Sequence, residues 1–408
     1  MKIAVWHNLP SGGAKRALYD HVKGLVERGH TVESWCPPTA DQKYLPLGQI
    51  IKENIIDLKI EPAKYGKIIN RFDLLVRTLR QQKSLEEHCQ TCALQMGQNF
   101  DILFANACVY TRVPSISQFV PMPAVLYLPE PYRWLYEALP DLPWLALPKR
   151  PAIENPVHYF IRGVINTLNL HGSRIQAREE VQNAKLFKSI YVNSFYSRES
   201  VLRAYGLNAN VCYLGIDTTL FKKKELQKEY FVLGVGAIVP EKNIGFVIRA
   251  ISHIPAPRPK LVWVGNFALP PYLDEIRSLA LELAVEFEPQ ELVSDEELVN
   301  LYNKATVFAY APRLEPFGFT PLEANACGTP VVAVAEGGPR ETIKTDINGI
   351  LVEHDPRQMG AAIHALLKDE QRLKTMGDSA QVYVREHWGL KQAIDRLEQL
   401  LFADAMCK

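Results

Sequence analysis

The chain of 408 residues contains no apolar run long enough to cross a bilayer, so a membrane-spanning helix is not expected. It carries no internal repeat and no low-complexity tail. It has no Gly-x-Gly-x-x-Gly, so a nicotinamide-type fingerprint is not supported. Cysteine is sparse: seven residues, an odd number scattered along the chain, argue for a reducing compartment. Cys89 and Cys92, spaced as a single Cys-x-x-Cys beside His88, lack a second pair and read as ordinary helix residues rather than a metal or redox centre. Residues 1 to 8 read as a buried strand rather than a signal peptide, because Lys2 is followed by only a few apolar residues before a loop.

What is present is the composition of a soluble globular protein, 47% hydrophobic and 22% charged. The length exceeds one ordinary core and suggests two domains. A formal net charge of +1 hides a polarised chain. Residues 1 to 215 hold 25 Lys and Arg against 18 Asp and Glu, net about +7, and the remainder hold 21 against 27, net about −6. A basic amino-terminal half suits an anionic membrane surface or an acidic substrate, and equally a solvated charge face.

The chain opens as a βαβ unit: strand Ile3 to Trp6, the turn Pro10-Ser11-Gly12-Gly13, a helix from Ala14 to Arg28, and a strand from Thr31 to Trp35. Gly12 and Gly13 let backbone N–H groups come close to a phosphate, or make a tight turn and nothing more. Residues 37 to 100 carry helical patterns, and strands return at Asp101 to Ala105, Ala124 to Leu128 and Ser189 to Asn193. Residues 140 to 178 mix apolar, aromatic and basic side chains, fitting a membrane interface, an acceptor groove or core packing. Beyond a Lys-rich hinge near residues 215 to 228, strands at Phe231 to Gly236, Lys260 to Val264, Ala284 to Phe287, Val307 to Tyr310 and Val331 to Val334 alternate with helices. They define a second parallel, doubly wound domain.

The densest stretch is RLEPFGFTPLEANACGTPVVAVAEGGPRETI, Arg313 to Ile343. Phe317-Gly318-Phe319 leads to a helix expected to open at Thr320 with Pro321 first and to close at Gly328, followed by a buried strand and a second glycine loop. Glu315 and Glu323 sit near the partly positive start of that helix. An anion there would meet free N–H groups while the carboxylates accept from hydroxyls, as in a site for a phosphorylated polyol. Thr320 to Glu323 also spells a capping box, and Glu315 also fits a plain surface acid.

EPFGFTPLEANACGTPVVA resembles the signature of the family-4 (GT4) retaining glycosyltransferases of the GT-B fold, whose E-x7-E motif Glu315 and Glu323 match. NSFYSRESVLRAYGL, CYLGIDTTLF, VGAIVPEKNIGFVIRA and SGGAKRAL extend the resemblance in the family's order over most of the chain. It implies an α/β architecture of two Rossmann-like doubly wound domains facing across a cleft. The expected bounds are 1–215 on the acceptor side, 216–389 on the donor side, and a crossover helix within 390–408. It further implies transfer of a sugar from a nucleotide-activated donor to a glycan or lipid-linked hydroxyl, with retention. Lys242, Gly12, Gly13 and the Phe317-Gly318-Phe319-Thr320 turn would hold the diphosphate, Glu323 the ribose diol, and Glu315 the sugar near the reacting carbon. With no Asp-x-Asp, no metal and no cofactor are expected.

Two departures stand out. Pro129 and Glu130 occupy the place of a histidine that many relatives direct at the donor sugar, leaving Glu130 as a polar contact, an acid/base group or an exposed acid. Ala237 stands where relatives have an arginine, with Arg313, Arg16 or Lys15 as replacements. The RWLY loop is similar to that of mannosyl-transferring relatives, pointing to GDP-mannose. The expected location is cytoplasmic or peripheral at the inner membrane face. Alternatives are a catalytically silent nucleotide-sugar or glycan binder, or another GT-B enzyme such as a sugar-nucleotide epimerase.

Overall fold

In the computed structural model, which describes residues 1–59, 74–138, 142 and 144–406, the chain divides into two units. The first comprises Met1–Asn193, Ser197–Cys212 and Ile394–Lys408; the second comprises Ser194–Tyr196 and Tyr213–Ala393.

Seven parallel strands build the first unit: β1 Lys2–Asn8, β2 Thr31–Cys36, β3 Lys52–Ile55, β4 Ile102–Cys108, β5 Ala124–Tyr127, β6 Ser189–Val192 and β7 Asn210–Val211. Their order is β3-β2-β1-β4-β5-β6-β7. The order reverses between β1 and β4, where the loop carrying Gly12 and Gly13 leaves β1 for helix α1, Gly13–Glu27. In order follow α2 Leu74–Met96, α3 Arg133–Tyr136, α4 Pro156–Ala184 and α5 Phe195–Tyr205. β1 from Ile3 onward and the whole of β4 are buried, since both faces of these parallel central strands are covered.

The second unit repeats the plan with β8 Glu229–Val235, β9 Lys260–Gly265, β10 Phe287–Glu291, β11 Ala305–Tyr310, β12 Val331–Val334 and β13 Gly349–Val352. All are parallel, in the order β10-β9-β8-β11-β12-β13, with the reversal between β8 and β11. The helices are α6 Ile244–Ser252, α7 Pro270–Glu282, α8 Asp295–Lys304, α9 Phe319–Ala326, α10 Pro339–Thr342, α11 Pro356–Lys368 and α12 Glu370–His387. Ile244, Val247, Ile248 and Ile251 of α6 join Val232, Trp263 and Ile363 in one core. α8 starts on a capping box between Ser294 and Glu297, which explains its sharp beginning among acidic residues.

The last helix, α13 Leu390–Met406, places its residues from Ile394 onward in the first unit. Ile394 fills the space that Gly24 leaves on α1. Arg28 pairs with Asp395 and Glu398, and Asp404 accepts from Ser189 and Tyr191. At the other end, the Glu341 carboxylate accepts from the backbone N–H groups of Phe195 and Tyr196, each at 2.9 Å. An anion at a helix start satisfies orphan donors, and Ser194–Tyr196 lie in the second unit with Glu341.

Several expectations need correction. Residues 52–55, within the stretch expected to be helical, form the edge strand β3; residues 60–73 of that stretch lie outside the described residues. The strand expected at Ala284 to Phe287 begins only at Phe287, because Leu283 still caps α7 and Ala284 turns the chain at φ 52°. The signature helix opens at Phe319, with Gly318 as its cap at φ 85°, so Pro321 is third in it and Glu323 begins its second turn. Much of residues 140 to 178 belongs to the 29-residue helix α4, started by Asn155, whose side chain accepts from the Val157 N–H, and by Pro156.

His21 of α1 is buried against Phe104 and Tyr127. Burial, with the Arg396 guanidinium nearby, pulls its pKa down to about 3. The folded chain therefore keeps His21 neutral, while the unfolded chain protonates it below about pH 6.5. Its contribution is complete above that pH and falls away as the pH drops toward 3. His21→Leu should consequently gain about 2 kcal/mol on the wild type when the comparison moves from pH 7 to pH 5. Urea melts of both proteins at the two pH values check this, and an identical pH dependence would contradict it.

Candidate active site

At the carboxyl edge of the second sheet, the loops after β8 and β11 meet where the strand order reverses. Ligands of doubly wound sheets bind at this position. After β8 a single turn, Pro240–Lys242, ends on Asn243 in the left-handed region at φ 53° and passes into α6. The Asn243 amide donates to the Ala311 carbonyl at 3.1 Å, and the Arg313 N–H donates to the Glu241 carbonyl at 3.3 Å, so the two loops are tied together. Leu314, at φ 51°, then turns the chain into Glu315.

The Lys242 ammonium and the Glu315 carboxylate pair at 2.8 Å, both half-buried. Two glycine positions permit this. Gly236, at φ 153°, lets the Lys242 stem pass 3.3 Å from where a Cβ would stand. Gly337, at φ 61°, lies against Glu315 so closely that a Cβ would come within 2.2 Å of its carbonyl oxygen. The Gly338 N–H donates to that same carbonyl at 2.8 Å. The second glycine loop thus clamps the backbone of Glu315. Arg313 pairs with Glu336 at 2.9 Å on the rim of this loop.

Glu323 is only 2% exposed. Its carboxylate accepts from the Tyr302 hydroxyl at 2.8 Å, and Gly318, with no side-chain cap, is the cap residue of α9. The Thr320–Glu323 capping box does not form. The first N–H groups of α9, those of Phe319 and Thr320, have no intrahelical acceptor by helix geometry. Phe317 is buried edge-on to Phe319 and tilted against Trp388, at centroid distances of 5.4 and 5.7 Å. Its side chain is packing. The carboxyl end of α9 is fixed by Asn325 and Asn348, which bond to each other at 2.8 Å in the interior.

The remaining candidates lie in the first unit. Gly12 caps α1 at φ 136° and Gly13 begins the helix. Glu130, in the loop after β5, stands 3.7 Å from the Arg112 guanidinium and 3.6 Å from that of Arg133. Arg16 donates to the Tyr44 hydroxyl at 2.9 Å. Lys15 is fully buried, with Glu53 supplying the favourable charge nearby. His7 bonds Glu53 at 3.0 Å, and Cys36 lies 3.6 Å from the same oxygen. Burial lowers the pKa of His7 and, with Glu53 beside it, raises that of Cys36. Burial works to raise Glu53, but His7 and Lys15 more than offset it. His7, Cys36 and Glu53 are close enough to share an ion, though the Lys15 ammonium already supplies positive charge there. Cys89 and Cys92 are buried helix residues, and burial pushes the Cys92 thiol to about 12.

Sequence reasoning did not find Tyr302, Gly236, the clamping part of Gly337 and Gly338, or Glu341. Tyr302 meets Glu323 across 21 residues of chain, a pairing with no local signal.

Two parallel, doubly wound sheets are the architecture of the GT-B class of fold. The whole chain is similar to HepE of Anabaena, solved in complex with UDP: TM-score 0.70, 20% identity, covering 99% of this chain and 100% of that one. Sucrose-phosphate synthase of Thermosynechococcus elongatus gives a TM-score of 0.68 at 18% identity, with 99% of each chain covered. Residues 216–382 match the family described as glycosyl transferases group 1. D-inositol 3-phosphate glycosyltransferase 1 of Catenulispora acidiphila is 35% identical over 127 residues, 30% of each chain. A GDP-mannose-dependent alpha-(1-6)-phosphatidylinositol monomannoside mannosyltransferase of Mycolicibacterium smegmatis is 30% identical over 233 residues, 51% of this chain and 60% of that protein. The chain therefore spans about a third of the first of these relatives and less than two thirds of the second.

Tyr302→Phe should leave a buried carboxylate oxygen short of its donor and cost about 1–3 kcal/mol. A melt of the variant is expected several degrees below that of the wild type; an unchanged melting temperature would show that the bond carries no such weight.

Proposed function

We propose that this chain is a retaining glycosyltransferase that moves a sugar from a nucleotide-activated donor to a hydroxyl of a glycan or lipid-linked acceptor. The observation that carries the reading is the Lys242–Glu315 pair at the strand reversal, set beside the amino end of α9. A diphosphate in this place gains the Lys242 ammonium and the first N–H groups of α9. Gly12 and Gly13 stand at the corresponding strand reversal of the first unit. Glu323, fixed by Tyr302, accepts from the ribose hydroxyls, and Glu315 accepts from the donor sugar.

In the proposed reaction the bond between the anomeric carbon and the diphosphate oxygen breaks, and the electron pair leaves with the nucleotide. The acceptor oxygen bonds to the same face of the anomeric carbon, and its proton passes to the departing phosphate. Lys242 stabilises the charge that develops on the leaving group. Glu130, held between two guanidinium groups, serves as a polar contact of the first unit. No metal or cofactor enters the proposal, since the ammonium and helix amides supply the positive field. GDP-mannose is the proposed donor, supported by the RWLY loop and by the named mannosyl-transferring relative. We place the protein in the cytoplasm.

A second reading, a silent nucleotide-sugar binder, is favoured by Ala237, which leaves Lys242 as the cation of the β8 loop. Thermal melts with UDP, GDP, ADP and their sugar conjugates test the site. One nucleotide family should raise the wild-type melting temperature by several degrees, and Lys242→Ala and Glu323→Ala should abolish the shift. Sugar transfer should fall about 10²-fold or more in Lys242→Ala. Absence of any shift at saturating nucleotide would refute the donor site, and a shift without turnover would favour the silent reading.

A further inference from the structure

A cavity of about 220 Å³ lies in the first unit, between α2, the segment after β4 and the last turns of α4, with Trp6 of β1 in its wall. Trp6 pairs with Ala105 across β1 and β4, and paired residues share a face, so Phe104 points to the other one. Trp6 meets the ring of His88 on α2, and Phe104 meets that of His21 on α1. The cavity therefore lies on the α2 side of the sheet, opposite the helix that Gly12 caps. None of the residues proposed to hold the donor lines it.

Its polar lining is made of carboxamides and hydroxyls. The Gln118 amide donates to Asn183 Oδ1 at 2.8 Å, and the buried Asn183 amide donates in turn to the Val113 carbonyl at 3.4 Å. Both amides are thus oriented before any ligand arrives. On the α2 wall, Gln82 Nε2 is cut off from solvent and has no hydrogen-bond partner among the described residues. A buried donor left in that state is costly, and an arriving acceptor would satisfy it. Thr111 and Ser115 add hydroxyls. Lys, Arg and His are absent from the described lining. Of its two acids, Glu179 already pairs with Arg178 at 2.5 Å and Glu86 is exposed.

We propose that this cavity binds an uncharged monosaccharide. An anion would meet no countercharge in it, and a cation would find its carboxylates paired or out in solvent. Sugar hydroxyls both donate and accept, as the amides and hydroxyls of the lining do. Trp6, Leu85 and Pro114 supply an apolar wall for the C–H face of a sugar ring. Pockets for drug-sized ligands measure about 300–1,000 Å³, so this smaller one suits a single ring rather than a nucleotide sugar. The inference stands apart from the donor chemistry and holds whether the donor site turns over or only binds.

The test is saturation-transfer NMR of the full chain with the methyl glycosides of mannose, glucose, galactose and N-acetylglucosamine, with a hexose phosphate and choline as charged controls. At least one neutral glycoside should bind the wild type and Lys242→Ala alike, and both controls should bind about tenfold more weakly or not at all. Gln82→Leu, which removes the buried donor at similar bulk, should weaken that binding about three- to tenfold. Gln182→Trp, at an exposed position of the lining, should close the mouth and abolish it. Melting temperatures and any nucleotide-induced shift should stay at wild-type values in both variants, which separates failure here from failure of the donor site. The proposal is overturned if no neutral glycoside binds, if a charged control binds as well, or if binding survives either cavity variant unchanged. Binding that disappears in Lys242→Ala would assign the sugar to the second unit and overturn it too.

Discussion

An ammonium and a carboxylate held 2.8 Å apart at the strand reversal of the second sheet are the constraint around which that unit is arranged. A partly exposed ion pair adds little net stability, about 1 kcal/mol or less. Its value lies in where it puts charge. Lys242 can stand there because Gly236 has no side chain, and Glu315 because Gly337 and Gly338 let the neighbouring loop press against its backbone. Asn243 fixes the spacing between the two loops. A diphosphate arriving there, as proposed, would meet a positioned cation with little rearrangement of backbone.

The first unit shows how the same fold manages polar groups at its own strand ends. His7 and Lys15 are interior and share Glu53 between them: the histidine bonds the carboxylate, the ammonium supplies it with compensating charge, and Lys15 works against protonation of His7. A buried ionisable group is tolerated on such terms. The sheet edge can then carry a glycine turn at Gly12 and Gly13 with little side-chain bulk over it. The early turns of α4 face different demands, since they bury almost nothing.

Legibility in the sequence followed locality. Val331 to Val334 and the strands at Phe231, Lys260 and Val307 were readable because buried parallel strands are continuous apolar runs. The two glycine loops and the acids eight residues apart were readable because their signals sit within one short stretch. β3, with the polar sequence KENI, gave no such signal, as an edge strand need not be apolar. α4 was missed because its apolar residues do not follow one buried face for its whole length. At the site, Glu323 looked like half of a capping box until Tyr302 was seen to claim it. The hold of Glu341 on Phe195 and Tyr196 joins residues nearly 150 positions apart, beyond any local pattern. Resemblance to a family supplied roles for Lys242 and Glu315, whereas geometry supplied their pairing.

Whether this pair is the donor site is decided most directly by a crystal structure of the chain with a bound nucleoside diphosphate. The predicted result places the diphosphate within hydrogen-bonding reach of the Lys242 ammonium and the first N–H groups of α9, with the ribose hydroxyls on Glu323. A nucleotide bound elsewhere, with Lys242 still engaged by Glu315 alone, would contradict it.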